Sequence, residues 1–309
     1  MSAIIVLQQM LVLFAMMAIG YGLWRVKWLD EGSCKGISKL VVNVFNPLLL
    51  IGSIAGYDFE NAHLQVGQNL LFVAVYFIVL FLMGLFVVWI LRLKNPQRNF
   101  YRMMMMFSNI GFIGIPLVRA LLGREYVLYI AFYILVYNVL LYTYGIYLAI
   151  RSNADSEKGG HFPIRKICNP GVIGCVVAII MFVFKIKTAE PVVTFLTYMG
   201  DTCIPLSMIL IGTSVAKMDL KRLFSDVKMY FFIAVKMLVI PICAALICKE
   251  MPVDTGVYQV FIIECAVPIG SIITLIAQEY GPEDDSAVIG VVLSTLLSVV
   301  TIPIVAIFL

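Results

Sequence analysis

The sequence predicts an all-α integral membrane protein, with ten transmembrane helices arranged as two inverted five-helix repeats. Three observations lead there. Of 309 residues, 62% are hydrophobic and 13% charged, and the mean hydropathy is +1.02, which is more apolar surface than a soluble domain of this length can bury. The apolar runs are continuous and about 20 residues long, enough for a helix to cross a roughly 30 Å hydrocarbon core, whereas a membrane β-barrel would show short alternating segments. The polar segment RSNADSEKGGHFPIRK, 151–166, falls at the midpoint of the chain and separates five runs from five. A repeat with an odd number of spans necessarily enters the membrane from the opposite side.

The first run, 3–23, leads into WRVKWLDEG with no small-residue cleavage site, so it reads as a retained helix rather than a signal peptide. The second, 37–56, holds Asn43, Asn46 and Pro47. Its two asparagines share one helix face and either line a path through the protein or cap a kink at Pro47. The third, 67–91, is uninterrupted, and the fourth, 101–122, carries FSNIGFIGIPL at its centre, with Gly111, Gly114 and Pro116. MMMM at 103–106 suits a lipid-facing or packing surface. The fifth, 126–150, has Tyr137 and Asn138 near its middle. A linker at 151–168 separates the first repeat, 1–150, from the second, 169–309. There the runs are 169–187, 191–215 with Asp201 and Pro205, 228–248 with Lys236, 256–278 with Glu264 and Pro268, and 286–309.

Pro47, Pro96 and Pro116 of the first half have partners about half a chain later in Pro205, Pro252 and Pro268. The fourth and ninth runs, with NIGFIGIPL and ECAVPIGSI at their centres, are therefore both expected to break at mid-membrane. Backbone freed at that depth survives only against protein or a water-lined cavity. Pro116 and Pro268 suit the first turn of a new half-helix, where a missing N–H costs nothing. Two helix N-termini meeting at mid-membrane form a site for an anion, most naturally a carboxylate.

The odd-numbered connections through the seventh carry four Lys or Arg residues each and the even ones at most two. The positive-inside rule then puts the odd connections in the cytoplasm and both termini outside the cytoplasm; only QEYGPEDDS, before the last run, lacks the expected basic residues. The net charge of +4 is spread over the loops rather than gathered on one element, which argues against a nucleic-acid partner. No Walker motif is present, and His63 and His161 lie in loops, so neither ATP hydrolysis nor a membrane-embedded Ser–His pair is indicated.

SNIGFIGIPL in the fourth helix, AVPIGSIITLIAQEYG in a broken ninth helix and the five-plus-five plan resemble the auxin efflux carrier family, which includes plant PIN auxin exporters and bacterial malonate-type transporters. The resemblance covers the whole chain. It implies a scaffold domain from spans one, two, six and seven, a transport domain from spans three to five and eight to ten, crossing broken helices with substrate at the crossing, and a homodimer formed through the scaffold. The long central hydrophilic loop of the larger plant members is missing, as in short prokaryotic forms. The plan is also similar to that of bile acid:sodium symporters, in which Ser-Asn before the fourth-helix break and a Glu on the ninth helix bind sodium; Ser108, Asn109 and Glu264 stand at those positions.

The expected substrate-binding residues are Asn109, Gly111, Gly114, Pro116, Pro268, Ser271, Asn43, Asn46, Asn138 and Lys236. Lys236 either neutralises Glu264 or meets a substrate carboxylate. Ser108, Asn109 and Glu264 are the expected coupling-ion residues, for a proton or sodium, with Glu264 alternatively a protonated carboxyl bonded to freed backbone. Asp201, Pro47 and Pro205 are assigned structural or interdomain roles. No organic cofactor is expected; sodium is the one inorganic ligand these residues suit. These expectations describe an elevator-type secondary transporter of a small organic anion, auxin-like or malonate-like, in the cell (inner) membrane. The alternatives are a ligand sensor that keeps the fold or a sodium-coupled symporter of the bile-acid-transporter type.

Overall fold

The computed structural model describes residues 3–55, 65–152, 170–217, 226–282 and 285–309. Most of the expected linker, with His63 and His161, lies outside them. Among the described residues the fold is entirely helical apart from one isolated antiparallel bridge. The helices are α1 (Ala3–Arg25), α2 (Glu31–Ile54), α3 (Val66–Ile90), α4 (Gln97–Met106), α5 (Ile110–Leu121) and α6 (Val127–Ile150). They continue as α7 (Pro170–Val183), α8 (Glu190–Ala216), α9 (Val227–Lys249), α10 (Thr255–Ala266), α11 (Ile272–Tyr280) and α12 (Ser286–Ala306). Six of them, α2, α3, α6, α8, α9 and α12, are long and apolar enough to cross a membrane, and shorter apolar stretches lie at Met10–Arg25, Ile110–Leu121, Pro170–Val183 and Thr255–Ala266.

Each predicted run contains helix, with two early starts, α4 at Gln97 rather than 101 and α2. α2 begins at Glu31 rather than near 37 because Asp30 caps it, its side chain accepting from Ser33 N at 2.7 Å. The outward-facing surface is apolar, with Leu71, Ile78, Leu82, Phe184 and Ile247 all more than half exposed, an arrangement that only lipid makes favourable. Met103, Met104, Met105 and Met106 are buried, so the methionine run packs inside.

The prolines act differently from expectation. Val41–Phe45 and Val235–Val239 are wide π-turns inside continuous helices and Ile110–Gly114 is the wide first turn of α5, and Pro47, Pro116 and Pro241 each follow one of them by two residues. A proline ring collides with the carbonyl four residues back and leaves it without a donor. Here those carbonyls belong to Asn43, Phe112 and Met237, the middle residue of each turn. Widening the turn moves the carbonyl aside and re-pairs the backbone with i→i+5 bonds, so the helix continues through its proline. Pro205 has the other outcome: α8 is interrupted at Thr202, next to Asp201, the residue four before the proline.

Helices α1, α2, α7 and α8 close on one another through glycine. A side chain at Gly20 would collide with Ile209 backbone and one at Gly212 with Met17 backbone, joining α1 to α8. A Cβ at Gly174 would come within 2.7 Å of Pro47 Cα, and one at Gly200 within 2.8 Å of Leu49 Cα, joining α7 and α8 to α2. Small residues at such contacts let backbones approach where apolar lipid gives no hydrophobic drive to associate.

Candidate functional site

The two helix breaks meet. After α4 the chain runs extended through Phe107, and after α10 through Val267, giving up helical hydrogen bonding in both places. The freed groups pair across the gap: Asn109 N donates to Pro268 O at 2.7 Å and Gly270 N to Phe107 O at 2.9 Å, with Ser108 opposite Ile269 in an antiparallel bridge. Ile269 N donates to Ser294 Oγ at 3.1 Å. A buried unpaired amide is costly, and here two broken helices satisfy each other. Gly270 is required by the approach, since a Cβ there would stand 3.0 Å from Ser108 O and 2.9 Å from Tyr137 Oη.

This geometry corrects two expected proline roles. The first break spans residues 107–109 and precedes the glycines. Asn109 caps α5, its side chain accepting from Phe112 N at 3.3 Å, and Pro116 lies well inside α5 beyond the π-turn. Pro268 belongs to the extended strand, four residues before α11, where its carbonyl serves as an acceptor. The sequence shows where a helix is weak, but the partner strand decides where it opens.

A cavity of about 260 Å³ adjoins the crossing. Its walls come from α2 with Asn43 and Asn46, the first break and the start of α5 with Ser108, Asn109 and Gly111, α6 with Tyr137, Asn138 and Tyr142, Gly171 of α7, and Gly270 and Ser271 before α11. Seven expected site residues, Asn43, Asn46, Ser108, Asn109, Gly111, Asn138 and Ser271, are thus brought together. Two asparagines also serve their own helices: Asn43 Nδ2 donates to Lys39 O and Asn138 Nδ2 to Ile134 O, each at 2.8 Å. Asn46 Oδ1 is buried without a hydrogen-bond partner. Among the described residues the cavity wall includes no Lys, Arg, Asp or Glu side chain. Its polarity comes from amides, hydroxyls and the starts of α5 and α11, whose first N–H groups have no partner within the helix.

Gly114, Pro116, Pro268 and Lys236 are not cavity residues. Lys236 is fully buried behind the crossing, where its Nζ donates to Met105 O at 2.7 Å and Ser108 Oγ at 2.8 Å. It holds a freed carbonyl at the end of α4, a helix C-terminus that favours a cation. It therefore makes no ion pair with Glu264 and does not reach the cavity, so neither expected role describes its position. Glu264, also fully buried, has both carboxyl oxygens without a hydrogen-bond partner, not bonded to freed backbone. The carboxyl lies against Gly114, where a Cβ would stand 2.5 Å from Oε1.

Asp201, expected in a structural or interdomain role, has an ion-pair partner on another helix. Arg119 of α5 pairs with it through two nitrogens, the longer contact being Nη2 to Oδ2 at 3.2 Å. Nearby, Arg124 donates to Gly52 O of α2. Sequence reasoning singled out neither arginine. The available signal was Arg119 itself, a charge within an apolar half-helix that also lacks an acid of its own.

A family profile described as membrane transport protein matches residues 5–306. Over 299 residues, 96% of this chain and 96% of the relative, the chain is 21% identical to a protein of Methanothermobacter thermautotrophicus named "Uncharacterized transporter".

Proposed function

The chain belongs to the membrane transport protein family, that of the auxin efflux carriers, and on that premise we propose that it is a secondary transporter of a small organic anion, a mono- or dicarboxylate. The observation carrying this reading is the cavity at the crossing, where two helix starts and the Asn43, Asn46, Asn109 and Ser271 side chains surround about 260 Å³ with no fixed charge among the described residues. Neutral donors and helix N-termini suit an anion that must also leave, and the volume, below the usual ~300–1,000 Å³ of ligand pockets, suits a small one.

In this reading the chain crosses the membrane ten times as two inverted halves. The glycine-joined group α1, α2, α7 and α8 is the scaffold, and the remaining helices carry the site in an elevator movement. Arg119–Asp201 and Arg124–Gly52 cross the boundary between the two groups. A proton on Glu264 is the coupling ion we favour. Ser108 Oγ, which a sodium site at Ser108, Asn109 and Glu264 would need, already accepts from Lys236.

The test is uptake of small mono-, di- and aromatic carboxylates into proteoliposomes. Saturable uptake is expected, driven by a pH gradient in potassium buffer, lost in Glu264→Gln, and lowered about tenfold or more by Asn109→Ala. A strict sodium requirement would restore the symporter reading. Carboxylate binding without flux would make the protein a sensor, and absence of both would overturn the organic-anion reading.

A further inference from the structure

The corner where α3 ends and α4 begins is not used by the transport site. It contains a hollow of about 850 Å³ whose floor includes Leu85 and Trp89 and whose rim carries Arg92, Arg98 and Arg102. The floor is continuous with the exposed apolar flank of α3, where Leu82 is 55% and Phe86 50% exposed. Trp89, 74% exposed at the last turn of this membrane-length helix, marks the level of the lipid headgroups.

Among the described residues no acidic side chain lines the hollow and none of the three arginines makes an ion pair; the side-chain partner of Arg102 is the neutral Tyr144 phenol. Arg98 and Arg102 stand four apart on one face of α4, where like charges repel unless an anion lies between them. Arg102 is anchored at the inner wall, because α4 lies against α3 at Gly84, whose Cβ position is 3.7 Å from Arg102 Cα. Its Nε is buried with no hydrogen-bond partner.

We propose that this corner binds one anionic phospholipid, with the headgroup phosphate on Arg92, Arg98 and Arg102 and an acyl chain along Leu85 and Trp89. Guanidinium suits phosphate because its planar fork can donate two parallel hydrogen bonds. A basic pocket between membrane helices is the form that anionic headgroup sites take. The occupant is a lipid rather than a free anion because half the hollow is apolar and leads directly onto the lipid-facing side of α3. The site also borders the transport machinery, since α4 continues from Arg102 to the break at Phe107 five residues later. A headgroup held there steadies one arm of the crossing.

The test titrates the purified full-length protein in detergent with phosphatidylglycerol, phosphatidylcholine or inorganic phosphate and follows thermal unfolding. Phosphatidylglycerol is expected to raise the midpoint saturably, and the other two are not. Apparent affinity should fall about fivefold per arginine removed, in Arg92→Gln alone and in Arg98→Gln combined with Arg102→Gln, while Arg25→Gln on another connection leaves it unchanged. The exposed Arg92→Gln variant keeps the test decisive if the double variant does not fold. Equal stabilisation by phosphatidylcholine, an undiminished response in the arginine variants, or stabilisation by phosphate alone would each overturn the proposal.

Discussion

Gly114 and Glu264 divide one small volume between them. The glycine has no side chain because the carboxyl occupies that space, with Oε1 at 2.5 Å from where a Cβ would stand. Gly114→Ala should therefore cost about 1–3 kcal/mol of stability through overpacking, read as a lower unfolding midpoint in detergent. Removing the carboxyl in the Glu264→Ala background should restore most of it. Equal losses in both backgrounds would mean that the glycine serves the π-turn and not the carboxyl. From sequence alone, this residue reads as part of a helix break. Its actual reason, a carboxyl 150 residues further along the chain, is invisible to any local pattern.

At the level of the helix, proline and π-turn go together in α2, α5 and α9, whereas Leu141–Gly145 of α6 widens with no proline after it. In α9 the turn Val235–Val239 precedes Pro241 and contains Lys236, whose two hydrogen bonds depend on the direction the widened turn gives it. Pro241→Ala returns the missing N–H and permits an ordinary α-turn, which rotates Lys236 away from Met105 O and Ser108 Oγ. The expected result is a net loss of stability of about 1–3 kcal/mol from the stranded acceptors, despite the better helix former. The same substitution should be neutral or stabilising in a Lys236→Met background. A stabilising effect in both backgrounds would show that the turn does not position the lysine. The prolines were legible as places of helical weakness. Whether weakness becomes a widened turn, as at Pro47 and Pro116, or an interruption, as at Thr202 before Pro205, depends on what can take up the freed carbonyl.

For the whole molecule, the contacts that matter join elements distant in sequence. Arg119 stands nine residues along α5 from Ile110, about 13 Å from the cavity end of that helix, and its pair with Asp201 ties α5 to α8. With side chains 24% and 44% exposed, the pair contributes at most about 1 kcal/mol, or roughly fivefold in the balance between the closed and open arrangements of the proposed elevator movement. Asp201→Asn should therefore leave the unfolding midpoint nearly unchanged. It should also speed labelling of a cysteine placed at Asn109, from the face bearing the α5–α6 connection, by about that factor, with the difference shrinking at high salt. Unaltered labelling would remove this contact from the closing of the site.

Composition and run length determined that the chain is a helical membrane protein, because a 30 Å apolar solvent leaves the backbone few other ways to satisfy itself. The motif around Ser108 and Asn109 and its counterpart around Pro268 located the two breaks to within a few residues, since glycine and proline weaken a helix wherever they stand. Tertiary structure alone decided that the breaks pair with each other through Asn109 and Gly270, that Lys236 turns to a helix end rather than to Glu264, and that Asp201 finds Arg119. Each of these is a hydrogen bond or ion pair between residues more than 80 positions apart. Which partner a freed group meets is set by how the helices pack, and packing among uniformly apolar helices leaves no periodic trace in the sequence.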